Sequence, residues 1–99
     1  MWYDRNSFEN NEDYAIRVLE RFGISKYYFI ADGYGGLSLL ISKNLHSYKI
    51  DCDKNREEMV IKRKVKKNEK EYLREVKSFK IDSIYEVIKW IFKDSQMVL

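Results

Sequence analysis

Residues 59–79 read MVIKRKVKKNEKEYLREVKSF, and this stretch decides the fold. Side chains alternate across a strand, so period two sends Val60, Lys62, Lys64 and Lys66 one way and Met59, Ile61, Arg63 and Val65 the other. The stretch reads as a long hairpin with an apolar underside and a lysine ladder outside. With Asn68-Glu69 as a two-residue turn, Lys66 meets Glu71, Val65 meets Tyr72, Lys62 meets Glu75 and Ile61 meets Val76. Two opposite-charge pairs and two apolar pairs then agree with one register, each contributing roughly 0.2–1 kcal/mol. The same register sets Arg63 against Arg74, which is unfavourable unless an anion or carboxylate lies nearby. A rival reading makes 69–77 a helix, since Glu, Lys, Leu and Arg favour helix and Tyr72, Leu73 and Val76 would share a face. The cross-strand agreement favours the strand.

Outward from the hairpin, the same patterning supplies the other elements. Ala15, Val18, Leu19 and Phe22 form one helical stripe. Asn10 or Asn11 is its expected N-cap, Gly23 its left-handed end and Ile24 the apolar contact beyond it; residues 1–10 read as irregular. Tyr27–Ala31 and Leu37–Ser42 are apolar runs, expected as strands buried on both faces or central in the sheet. Between them, Asp32-Gly33-Tyr34-Gly35-Gly36 is a loop. In 47–53, Tyr48, Ile50 and Cys52 point inward and Lys49, Asp51 and Asp53 outward. Ser83-Ile84-Tyr85-Glu86 is a capping box opening a last helix with stripe Ile84, Val87, Ile88, Ile91. Tyr85, Trp90 and Phe92 widen that stripe beyond what one sheet face covers. The expected architecture over 1–99 is a single α+β domain: a two-layer sandwich, with an antiparallel sheet of about five strands and an N-terminal and a C-terminal helix on one face.

Composition narrows the function classes. The chain has 99 residues, 44% hydrophobic and 35% charged, a globular rather than a disordered balance. A net charge of +3 is too weak to argue for nucleic acid by itself, so clustering must carry that case. A single cysteine, Cys52, fits a reducing compartment. No signal-like N-terminus is visible, and no apolar run approaches the roughly 18 residues of a membrane span. A soluble, cytoplasmic protein is expected.

Catalytic signatures are sparse. His46 and Cys52 are too few for a zinc site, and Cys52 alternates into the core, so no metal, cofactor or catalytic pair is expected from them. Gly33, Gly35 and Gly36 match no phosphate-binding fingerprint, because a strand follows them rather than a helix. The sharpest enzymatic idea uses Glu75-Val76-Lys77, with both charged side chains on one face by period two, together with Asp51, Asp53 and Glu20. An acid from a helix, an aspartate and a glutamate-x-lysine strand can hold a divalent metal for phosphodiester cleavage. That set of parts resembles the restriction-endonuclease-like nucleases, although the strand that follows the second helix there is missing.

Three functional readings follow, in order. The first is a small non-enzymatic interaction module that binds a protein partner or itself, a possible homodimer, through Tyr27, Tyr34, Trp90 and Phe92, with Trp2, Tyr3, Phe8 and Tyr28 adding to the surplus of rings. Eight tyrosines and no proline would suit a viral or mobile-element accessory protein. The second is nucleic-acid binding by Lys62, Arg63, Lys64, Lys66, Lys67 and Lys70, set against a solvated face or a guarded sheet edge. About four lysines on phosphates give a log–log salt slope of roughly −3.6. The third is the metal-dependent nuclease.

Overall fold

Helix α1 (Phe8–Arg21) opens the chain and helix α2 (Ile84–Met97) closes it. Between them run β1 (Lys26–Ala31), β2 (Leu37–Lys43), β3 (His46–Asp53), β4 (Glu58–Lys67) and β5 (Lys70–Lys80). The computed structural model describes residues 8–31, 37–53, 55–80 and 83–97. Tyr34, the glycine loop, Trp2, Tyr3 and the Phe8 side chain lie outside that description. The strands form one antiparallel sheet in the order β1-β2-β3-β4-β5, the meander that short turns impose.

The ends of α1 show both a correction and an agreement. The helix starts at Phe8, so Asn10 and Asn11 lie inside it rather than capping it, and residues 8–10 are helical. The far end follows the sequence. Gly23 takes φ +70°, the Gly23 amide donates to Glu20 O at 3.0 Å, and the Ile24 amide donates to Leu19 O at 2.9 Å. That is the Schellman ending, with Ile24 buried as its apolar contact.

Both helices pack on one face of the sheet. Ala15, Val18 and Leu19 of α1 and Ile84, Val87, Ile88 and Ile91 of α2 share a core with Leu39, Ile41, Tyr48, Ile50, Met59 and Ile61. The wide apolar surface of α2 meets α1, because the Phe22 ring lies 5.6 Å from Tyr85 and 5.4 Å from Phe92. The opposite face of the sheet carries no described helix. This corrects the expectation for the first apolar run. β1 is an edge strand, and its open-side residues Tyr28 and Ile30 are 61% and 41% exposed.

The two-residue turns carry unusual backbone. Asn44 and Leu45 join β2 to β3 with φ of 51° and 70°, the primed geometry that matches strand twist. Asn44 Nδ2 ties the turn to α2 by donating to Ser95 Oγ at 3.2 Å, whereas Leu45 is fully exposed. An L-residue in this region costs about 1–2 kcal/mol, and glycine gives back about 0.5–1 kcal/mol of that through the entropy of the unfolded chain. Leu45→Gly is therefore expected to raise the unfolding free energy by about 0.5–1 kcal/mol, measured by urea denaturation. A loss of stability would mean that the leucine side chain holds something in place.

Candidate functional site: the basic hairpin and the open sheet face

The turn Asn68-Glu69 has φ of 53° and 65°, and β5 is a strand, which removes the helical reading of 69–77. From the turn outward the pairs are Lys67↔Lys70, Lys66↔Glu71, Val65↔Tyr72, Lys64↔Leu73, Arg63↔Arg74 and Lys62↔Glu75. The next pair is Ile61↔Lys77, not Ile61↔Val76, because a bulge shifts the register there. Val76 is the extra residue and packs against the core. A bulge of this kind re-aims the side chains beside it.

The bulge dismantles the glutamate-x-lysine reading. Opposed residues share a face, so Glu75 stands with Lys62 on the open side and Lys77 with the buried Ile61 on the helix side. Lys77 Nζ lies 5.5 Å from the Phe79 ring, and Glu75 is gripped by Arg56 through bonds of 3.0 and 3.1 Å. Asp53 accepts the Asn55 and Arg56 amides at 3.0 and 3.1 Å. Asp51 accepts Ser38 Oγ at 2.6 Å and faces Lys62 Nζ at 3.3 Å. Asp51, Asp53 and Glu75 are thus engaged locally, Glu20 is exposed on α1, and among the described residues no group of three or more His, Cys, Asp or Glu is placed to hold a metal ion. His46 and Cys52 stand at opposite ends of β3, about 20 Å apart at strand rise, so they form no catalytic pair.

The Arg56 fork sets one titration. It holds the exposed Glu75 carboxyl below its ordinary value of 4.5, chiefly by hydrogen bonding. A carboxylate depressed in the folded state adds stability that is present above its unfolded pKa and is lost as pH falls through the folded one. Carbon-detected NMR is expected to show Glu75 titrating below pH 4.5, and Arg56→Gln to move it upward. An unmoved titration would remove the fork as the cause.

The period-two sorting of the basic cluster holds, but half of its charge is spent inside the molecule. On the open side Lys62 pairs with Asp51, and Lys64 with Glu71 at 3.2 Å. On the helix side Arg63 Nη1 donates to Asp94 of α2 at 2.6 and 2.8 Å. Lys66, Lys67 and Lys70 are exposed and make no ion pair among the described residues.

Asp94 is the residue that sequence reasoning missed. Its carboxylate also accepts the Tyr48 hydroxyl at 2.6 Å. Burial first, and then this acceptor, push the Tyr48 hydroxyl well above the usual tyrosine range. The carboxylate is what allows Arg63 to stand opposite Arg74. Two signals were available. One was the like-charge pair itself. The other was the position of Asp94 three residues past Ile91 and seven past Val87, on the buried stripe.

The predicted interface rings are largely spent in packing. Tyr27 and Trp90 lie against the core. The Tyr27 ring stacks edge-on to Phe29 at 6.4 Å, and Phe92 lies between Phe22 and Lys43. The exposed large apolar side chains of the sheet are instead Tyr28, Ile30, Tyr72 and Leu73. Tyr28, Leu40, Ser47, Lys64 and Leu73, one from each strand, line a trough of about 430 Å3. The open side is therefore concave. Comparison with protein-family models, curated proteins and solved structures finds no match to this chain, so its function is read from this geometry.

Proposed function

We propose that this protein is a non-catalytic interaction module whose docking face is the open side of its sheet. The observation that carries the reading is the trough bearing Tyr28, Leu40 and Leu73, rimmed by Lys26 and Lys64. Burying a large apolar side chain yields about 1.5–3 kcal/mol, and association costs about 4–15 kcal/mol. Three anchors offset only the lower part of that cost. The partner therefore adds polar contacts, and Lys26, exposed and without an ion pair among the described residues, selects a carboxylate beside an apolar ridge. A second copy of this chain is one such partner, since acidic side chains are abundant in it.

A photo-crosslinking phenylalanine analogue at Tyr28, with Tyr14 on α1 as the control position, tests this in the native host. A discrete adduct specific to position 28 is expected, and its mass separates self-association from another partner. No adduct at 28, or the same adducts at 14, would overturn the reading.

A second reading, nucleic-acid binding by the hairpin, is favoured by one observation. Lys66, Lys67 and Lys70 cluster at the projecting tip without ion pairs among the described residues. Its test is a salt-sensitive shift of DNA or RNA, absent when these three lysines are replaced by glutamate.

A further inference from the structure

The two faces of the projecting hairpin differ in charge. Lys62↔Glu75, Lys64↔Leu73 and Lys66↔Glu71 face the open side, whereas Arg63↔Arg74, Val65↔Tyr72 and Lys67↔Lys70 face the helix side. Alternation thus sends both carboxylates of these rungs, Glu71 and Glu75, to the open side. The helix side holds two arginines, a valine–tyrosine rung and two lysines, with no acid among them. Asp94 reaches this side from α2 and neutralises Arg63 alone. Arg74, Lys67 and Lys70 are exposed and make no ion pair among the described residues. Glu69 sits at the turn, beyond the last rung. Of the hairpin cations without an ion pair among the described residues, Lys66 stands on the open side opposite Glu71, whereas Arg74, Lys67 and Lys70 stand together on the face opposite to the lysine ladder.

This underside is open to solvent. All of 70–75 is exposed, and Tyr72 is 45% exposed. Rungs on one face recur every two residues, about 6.8 Å apart, so the arginine rung and the lysine rung stand about 14 Å apart with Tyr72 between them. At the inner end, Arg63, Arg74, Glu75, Val76, Trp90 and Asp94 line a recess of about 310 Å3, which brings a second ring beside the cations; its two acids are already engaged, Asp94 by Arg63 and Glu75 by Arg56.

We infer that the helix-side face of the β4–β5 hairpin binds single-stranded nucleic acid, with Arg74, Lys67 and Lys70 on phosphates and Tyr72 stacked on a base. The inference rests on the second reading above and assigns its face and its ligand. Cations alone serve any polyanion. An exposed ring set between two cationic rungs serves a strand whose bases are free to stack, and such stacking is worth about 1–3 kcal/mol per base. A duplex keeps its bases inside and gains nothing from Tyr72.

Fluorescence anisotropy of the full chain with a labelled thymidine homopolymer, and with a duplex of equal length, tests the inference at low salt and along a salt titration. Three phosphate contacts predict a log–log slope of about −2 for the single strand. The triple variant Lys67→Glu, Lys70→Glu, Arg74→Glu is expected to abolish binding. Lys62→Glu with Lys64→Glu, on the open side, is expected to leave most of it. Tyr72→Ala is expected to weaken binding about tenfold without changing the slope. Circular dichroism verifies the fold of each, and the glutamine versions replace any that unfolds.

Each failure is distinguishable. No binding to either strand by the wild type overturns the hairpin reading and this inference together. Loss in the open-side variant but not in the underside one overturns the face while the hairpin reading stands. Equal affinity for duplex, a neutral Tyr72→Ala, or equal competition by polyglutamate overturns the ligand class.

Discussion

Asp94→Ala is expected to lower the unfolding free energy by about 3 kcal/mol, which is close to the loss of a core side chain although Asp94 is a charged residue near a helix end. Exposed ion pairs contribute only about 0–1 kcal/mol. This one is different, because the Arg63 and Asp94 side chains are 18% and 13% exposed. Removing the carboxylate strands a mostly buried guanidinium directly across from Arg74 and takes the acceptor from the Tyr48 hydroxyl. Breaking a buried pair from one side costs about 3–5 kcal/mol, and the residual exposure places this site at the low end. Tyr48→Phe removes one hydrogen bond and is expected to cost about 1 kcal/mol. The double variant Arg63→Met, Asp94→Leu is expected to recover much of the loss, since two apolar groups of similar size replace a buried pair nearly neutrally. Urea denaturation of the wild type, Arg63→Met, Asp94→Leu and the double variant gives the coupling energy of the pair. A loss under about 1 kcal/mol in Asp94→Ala, the range of exposed pairs, would show that the arginine finds water or another acceptor.

Ile50→Ala should destabilise the protein at least as much. Ile50 lies on the central strand between Leu39 and Ile61, and all three are 0% exposed. Truncating such a side chain removes its transfer energy and leaves a cavity that the flanking strands cannot close, about 2–5 kcal/mol in total. For a domain of this size each kcal/mol lowers Tm by about 4–8 °C, so a fall beyond 10 °C is expected in a thermal melt. Ile30→Ala is the internal comparison. Ile30 is equally apolar but 41% exposed on an edge strand, and its truncation is expected to cost less than 1 kcal/mol. Equal losses at the two positions would mean that the open side of the sheet is covered in solution, which would itself favour the docking reading.

These contrasts show where legibility stops. Ile30 sits in a continuous apolar run, whereas Ile50 alternates with Lys49 and Asp51, and period two alone gives Ile50 an inward position. The sequence could not say that Ile30 faces solvent, because one-sided covering by the helices is settled by where α1 and α2 pack. The end of α1 was legible to the residue, since Gly23 and Ile24 act within a single turn of chain. Its start was not, as no side chain there dominates the choice. In β5 the residues favour helix, yet cross-strand pairing with β4 overrides that preference.

Read alone, the residues determine the hairpin turn at Asn68-Glu69, the pairing from Lys67 back to Lys62 and the meander. These depend on contacts within a few residues or on strict alternation, and alternation is a local property of the backbone. Only the tertiary structure decides that Val76 bulges, that Glu75 and Lys77 part company, and that Asp51, Glu71 and Asp94 silence three of the six predicted cations. Neutralisation depends on which carboxylate arrives within about 4 Å. For Arg63 and Asp94, that approach joins groups 31 residues apart in the chain.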